Sequence, residues 1–137
     1  MAVKAYLLDK SVLARLEQPA VAAALLPLAG RLATCGTVLL EVGWSATSRK
    51  HHQQMMDDLS WYQMLEIDQD TINLACALQA ALVDRGHHRR PGVADLILAA
   101  TAIRHSAVVV HYDQDFELIG EVEERLQHRW IVPPGTV

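Results

Sequence analysis

Val93-Ala94-Asp95-Leu96-Ile97-Leu98-Ala99-Ala100-Thr101-Ala102-Ile103-Arg104, followed after three residues by Val108-Val109-Val110-His111-Tyr112-Asp113, decides the architecture. The first run opens after Pro91-Gly92 and reads as a helix over residues 93–104. The second sets three β-branched residues in succession and is the strongest strand signal in the chain, over residues 108–111. A helix that returns into an apolar strand is one half of a βαβ crossover, and the rest of the chain repeats the alternation.

Towards the N-terminus, Ala5-Tyr6-Leu7-Leu8 is a short buried strand closed by Asp9. Helices are expected over 11–16 and 20–29, the second with Pro19 near its start. A short strand fits 31–35, and Gly36-Thr37 marks a turn with Thr37 as N-cap of a helix over 38–47 that carries Glu41. A helix over 52–63 and an extended piece over 64–67 follow. Asp68 or Asp70 caps a long helix over 71–85 that Gly86 ends, and 87–92 is a polar loop. Beyond the decisive strand come a helix over 114–126 and a terminal strand over 129–132, stopped by Pro133-Pro134-Gly135. Together these segments predict an α/β fold of three layers, α/β/α, around a short, mainly parallel central sheet. The 137 residues are expected to form one domain, 1–137, without repeats or a linker.

In such sheets ligands bind beyond the carboxyl ends of the strands, and this edge collects four carboxylates. Asp9 and Asp113 follow strands directly, while Glu41 and Asp95 lie in the opening turns of helices that start at the same edge. Gathered carboxylates repel one another and require protons or cations, which points to a divalent metal. Glu41 is the most telling, because it interrupts Val38-Leu39-Leu40-Glu41-Val42-Gly43-Trp44 and its neighbours at i±3 are Val38 and Trp44.

Each acid also has a plainer role, and for Glu41 it is a side chain that reaches to solvent near a helix start. Asp95 complements the positive end of a helix, Asp9 suits a turn, and Asp113 suits an N-cap. Asp115 is either a further metal ligand or a first-turn acid, with the ligand reading preferred. Ser11 caps a helix or supports a metal-binding carboxylate by a hydrogen bond, and the two roles are compatible. Lys10 is a counter-charge, a phosphate contact or solvated. His111 reads as a strand-end histidine satisfied by backbone and is not counted as a ligand.

Sixteen acidic and twelve basic residues give a net charge of -4, so bulk attraction to nucleic acid is not expected. The local exception is Arg85-Gly86-His87-His88-Arg89-Arg90, just before the Asp95 helix, with a weaker companion at Arg49-Lys50-His51-His52. Arg85, His87, His88, Arg89 and Arg90 are candidate phosphate-backbone contacts. Cys35 and Cys76 lack metal-ligand spacing and read as buried thiols. The first residues lack the apolar core of a signal peptide, and no apolar run approaches bilayer length, so a soluble, cytoplasmic protein with no membrane partner is expected.

Read together, Tyr6-Leu7-Leu8-Asp9-Lys10-Ser11-Val12-Leu13, Thr37 with Glu41-Val42, Ala94-Asp95-Leu96-Ile97-Leu98-Ala99-Ala100-Thr101-Ala102 and His111-Tyr112-Asp113-Gln114-Asp115-Phe116 resemble a PIN-domain ribonuclease. The resemblance is to VapC-type toxins of bacterial type II toxin–antitoxin pairs, and it spans essentially the whole chain. It implies a PIN-like fold with Asp9, Glu41, Asp95 and Asp113 as catalytic acids and Asp115 as a less uniform fifth. Mg²⁺ or Mn²⁺ is implied as cofactor, with Asp9, Asp95 and Asp113 contacting it and Glu41 orienting a water. It further implies an RNA substrate of the tRNA or rRNA class, a VapB-like antitoxin, a homodimer, and contact with DNA only through the antitoxin. Lys10 and His111 depart from the usual pattern, where Thr is common at each.

Two other readings compete. A non-catalytic module of the same fold would be expected to have lost an acid, and none is missing. A receiver-like or phosphatase domain using Asp9 as phosphoacceptor needs a second early acid, which Lys10-Ser11 does not supply. With so little net positive charge, RNA affinity should fall only modestly with added salt. A steep slope in a salt titration of RNA binding would count against the expectation.

Overall fold

A computed structural model describes residues 5–137; the part of the signal-peptide reading that rests on residues 1–4 lies outside the described residues. Strands β1 (Tyr6–Leu8), β2 (Leu32–Cys35), β3 (Gln63–Leu65), β4 (Val108–His111) and β5 (Gln127–Trp130) form one sheet in the order β3-β2-β1-β4-β5. All neighbouring pairs are parallel, with Tyr6 opposite both Leu32 and Val108. The sheet expected to be mainly parallel is wholly so. Helices α1 (Lys10–Leu13), α2 (Pro19–Leu25), α3 (Gly36–Trp44), α4 (Arg49–Leu59), α5 (Gln69–Asp84), α6 (Val93–His105) and α7 (Asp115–Val122) connect the strands.

Alternation along the strands builds two cores. Leu7, Ala33, Cys35 and Val109 meet Leu78, Leu82, Leu96, Ala99, Phe116 and Ile119 of α5, α6 and α7. On the opposite face Leu8, Val108 and Val110 pack on Val12, Val21 and Leu25 of α1 and α2. The result is the expected three-layer arrangement.

Several boundaries move, each for a local reason. The helix expected over 11–16 ends at Leu13, and that over 20–29 ends at Leu25, where Leu26–Leu28 tightens into a 3₁₀ turn around Pro27. β2 runs straight into α3, so extended Cys35 is the N-cap and Thr37 lies inside the first turn. α4 starts at Arg49 because the Ser48 side chain accepts the His51 N–H at 3.0 Å, and it ends at Leu59 to free Gln63 for pairing with Ala33. α5 is capped by Asp68, whose carboxylate accepts the Thr71 N–H at 2.9 Å. α7 stops at Val122, shorter than 114–126, and β5 begins at Gln127 in register with Val108. Cys76 is exposed, against the expectation: α5 buries Thr71, Ala75, Leu78 and Leu82, and Cys76 sits one step past Ala75.

Strand order reverses between β1 and β4, since β2 and β3 extend to one side of β1 while β4 and β5 lie on the other. A crevice opens beyond the carboxyl ends of strands at such a point. The core beneath it is tightly filled: Leu82 is fully buried, and its neighbour Val83 is 49% exposed. Leu82→Ala is therefore expected to cost about 2–5 kcal/mol in denaturant unfolding and Val83→Ala about 0.5 kcal/mol or less. Equal losses would show that α5 does not bury the face described.

Candidate active site

Asp9 and Asp113 stand on either side of that crevice, at the ends of β1 and β4. The Asp9 N–H donates to Val110 O at 2.9 Å, which ties the two strand ends together. Asp9 caps α1: its Oδ2 accepts the Ser11 N–H at 3.1 Å and the Ser11 hydroxyl. The Ser11 Oγ in turn accepts the Tyr112 N–H at 2.8 Å, so one hydroxyl bridges the β1 and β4 ends. Of the two roles read for Ser11, support of a carboxylate is observed; the N-cap of α1 is Asp9, and Ser11 lies inside the first turn. Asp9 is 1% exposed, and its Oδ1 is buried without a hydrogen-bond partner. Burial pushes its carboxyl above the usual range, the Ser11 bonds oppose this, and Glu41 and Asp113 add to it.

Asp95 enters from the first turn of α6. Its Oδ2 accepts the Gly92 N–H at 3.0 Å, so it caps its helix and still faces the crevice. Burial raises its pKa to about 7 against the Gly92 bond, with Asp9, Asp113 and Asp115 adding repulsion. Asp113 Oδ1 accepts the Asp115 N–H at 2.9 Å. Asp95, Asp113 and Asp115 each offer a carboxylate oxygen within 4.8 Å of the others. The uncertain fifth acid thus joins the tight group, while Asp9 and Glu41 flank it.

Glu41 pairs with Lys10, Nζ to Oε2 at 3.0 Å, which makes Lys10 a counter-charge. The apolar surround expected for Glu41 is one-sided. Val38 is buried, but Leu40 and Trp44 are 78% and 89% exposed. Beside Glu41 runs a groove of about 530 Å³, lined by Lys10, Ser11, Arg15, Glu41, Trp44 and Asp113 among others. Sequence reasoning missed this exposed apolar rim.

The basic loop divides. Arg90 lies near enough to Asp115 to oppose the rise that burial and Asp113 give its pKa. Arg85 and Arg89 are exposed, but His87 and His88 are half-buried with their Nδ1 atoms shielded from solvent, which weakens them as phosphate contacts. Arg49–His52 forms the first turn of α4, ahead of the start expected at 52.

An all-oxygen donor set, a buried carboxylate oxygen lacking a donor, and carboxyls held above their usual range fit a hard divalent cation. Without one, protons take its place. Asp95 ordinarily loses its proton near 3.8 and in the folded chain keeps it to about 7, so the folded state binds more protons in that window. Stability then falls as pH rises through it, and the raised carboxyls of Asp9 and Asp115 act in the same direction. The melting temperature of EDTA-treated protein should drop between about pH 5 and about pH 8, and Asp95→Asn should flatten the slope. A melting temperature that climbs with pH would contradict this electrostatic picture.

Residues 6–122 match the model of the PIN domain. The chain is 44% identical to ribonuclease VapC21 of Mycobacterium tuberculosis over 96% of both chains. It is 41% identical to ribonuclease VapC51 of the same organism, over 100% of this chain and 99% of the relative. Among solved structures, VapBC2 from Rickettsia felis bound to a fragment of its promoter DNA superposes with a TM-score of 0.76 at 19% identity, over 91% of this chain and 97% of that one. Among the described residues no helix is long and apolar enough to cross a membrane. Fold, domain match and full-length similarity agree, and the chain belongs to the PIN-domain family.

Proposed function

We propose that this chain is a metal-dependent endoribonuclease, a VapC-like toxin that cuts RNA of the tRNA or rRNA class and thereby stops translation and growth. The observation that carries the reading is the clustering of Asp95, Asp113 and Asp115 within 4.8 Å beside the unpartnered buried oxygen of Asp9. Asp9, Asp95, Asp113 and Asp115 are the residues that hold Mg²⁺ or Mn²⁺. When bound, the cation supplies charge stabilisation at the scissile phosphodiester and a more acidic water.

The protein's own groups do the rest. Glu41, fixed through Oε2 by Lys10, orients the attacking water through its other oxygen. Ser11 holds Asp9 in one rotamer and locks it to the β4 end, which keeps the carboxylates from spreading under their own repulsion. Arg90, with exposed Arg85 and Arg89, guides the phosphate backbone to the acidic edge.

Full-length similarity to named VapC ribonucleases and the likeness of the fold to toxins in VapBC complexes support a VapB-like antitoxin as partner. Leu40 and Trp44, exposed beside Glu41, give such a partner an apolar footing next to the site. A cytoplasmic homodimer that reaches DNA only through the antitoxin completes the reading.

Purified protein is expected to cleave RNA with Mg²⁺, to stop with EDTA, and to lose on the order of 10²-fold or more of its rate in Asp9→Asn and in Asp95→Asn. Variants that cut as well as wild type would sink the nuclease reading. Wild-type protein that binds RNA without cutting it would favour the non-catalytic module.

A further inference from the structure

Below the acidic edge, on the sheet face covered by α7, His111 of β4 meets His128 of β5. His111 Nε2 and His128 Nδ1 are 2.9 Å apart. His111 is fully buried and lies against Phe116 and Trp130, with ring centroids at 4.9 and 5.1 Å. Its Nδ1 accepts the Asp113 N–H at 3.2 Å. His128 is seated against Gly120 of α7, where an added Cβ would stand 2.9 Å from Nε2.

Hydrogen-bond direction fixes both tautomers. A backbone amide only donates, so His111 Nδ1 must present its lone pair. With Nδ1 bare, the ring is neutral and its one proton sits on Nε2, from which it is donated to His128 Nδ1. His128 then carries its own proton on Nε2. A single orientation of two rings thus ends at the amide of Asp113.

We propose that His128 is a positioning residue for Asp113, acting through the His111 ring that its Nδ1 holds in place. This rests on reading Asp113 as a metal-holding carboxylate. Without the His128 acceptor, the buried His111 N–H is left unpaired, and the ring relieves this by turning or by moving its proton to Nδ1. Either change sets a donor, or nothing, against the Asp113 N–H and loosens the turn that aims Asp113 at Asp95 and Asp115. Neither histidine needs to touch substrate or metal.

The test is Mn²⁺ binding to the purified full chain by titration calorimetry, with thermal unfolding measured alongside. His128→Leu should weaken binding about 10- to 100-fold, as loss of a supporting partner does in metal sites. His128→Asn, whose Oδ1 reaches the place of Nδ1, should restore most of it, and Gly120→Ala, which displaces the ring, should resemble His128→Leu. In metal-free protein, ¹⁵N spectra should show His111 protonated at Nε2 in wild type and His128→Asn, but not uniformly so in His128→Leu. Unchanged Mn²⁺ affinity in His128→Leu would overturn the proposal. So would a His128→Asn variant as weak as His128→Leu at equal melting temperature, or a wild-type His111 protonated at Nδ1. If wild-type protein bound no Mn²⁺ at all, the metal-site reading would fall, while the nitrogen spectra would still decide the histidine relay.

Discussion

Mutual repulsion among carboxylates held at one sheet edge is the constraint on which the remaining structure depends. Asp9 and Asp95 are almost wholly buried, and in both the burial itself is the largest cause of the raised pKa. An edge free to relax would separate such groups into solvent. Here each is tied to backbone: Asp9 to the Ser11 N–H, Asp95 to the Gly92 N–H, and Asp113 to the Asp115 N–H. Each bond uses a carboxylate oxygen as a local cap or turn acceptor while the group still faces its neighbours. The structural roles read for these acids are the means by which the site is held together.

The topology supplies the place for this. With β1 central and β2 and β4 on its two sides, the ends of β1 and β4 are adjacent, and the Ser11 hydroxyl joins them. Helices α3 and α6 set out from the same edge and carry Glu41 in the second turn and Asp95 in the first. α3 starts directly at the end of β2, whereas α6 follows α5 and runs from the acidic edge back to the start of β4.

Much of this was legible in the chain. Val108–His111 declared itself through consecutive β-branched residues, and an acid directly after a strand has only one edge to occupy. What escaped depends on phase or on distant partners. Cys76 differs from buried Ala75 by one helical step, which spacing alone does not resolve. The Lys10–Glu41 pair joins separate elements, and the membership of Asp115 in the tight trio turns on side-chain direction in a short turn. His111 was read correctly as satisfied by backbone; its partner His128 comes from another strand, and no local pattern announces the pair.

Pairing of β1 with β4 has a consequence for how the molecule comes into being. Tyr6 waits for Val108, so the first strand made stays open on one side until most of the chain has been synthesised. Contacts so remote in sequence form late, after a large loss of chain entropy. A nascent or C-terminally clipped chain holds Asp9 and Glu41 but lacks the opposite wall of the crevice. The acidic edge is thus a property of the finished chain alone, and the order of synthesis itself delays whatever chemistry it performs.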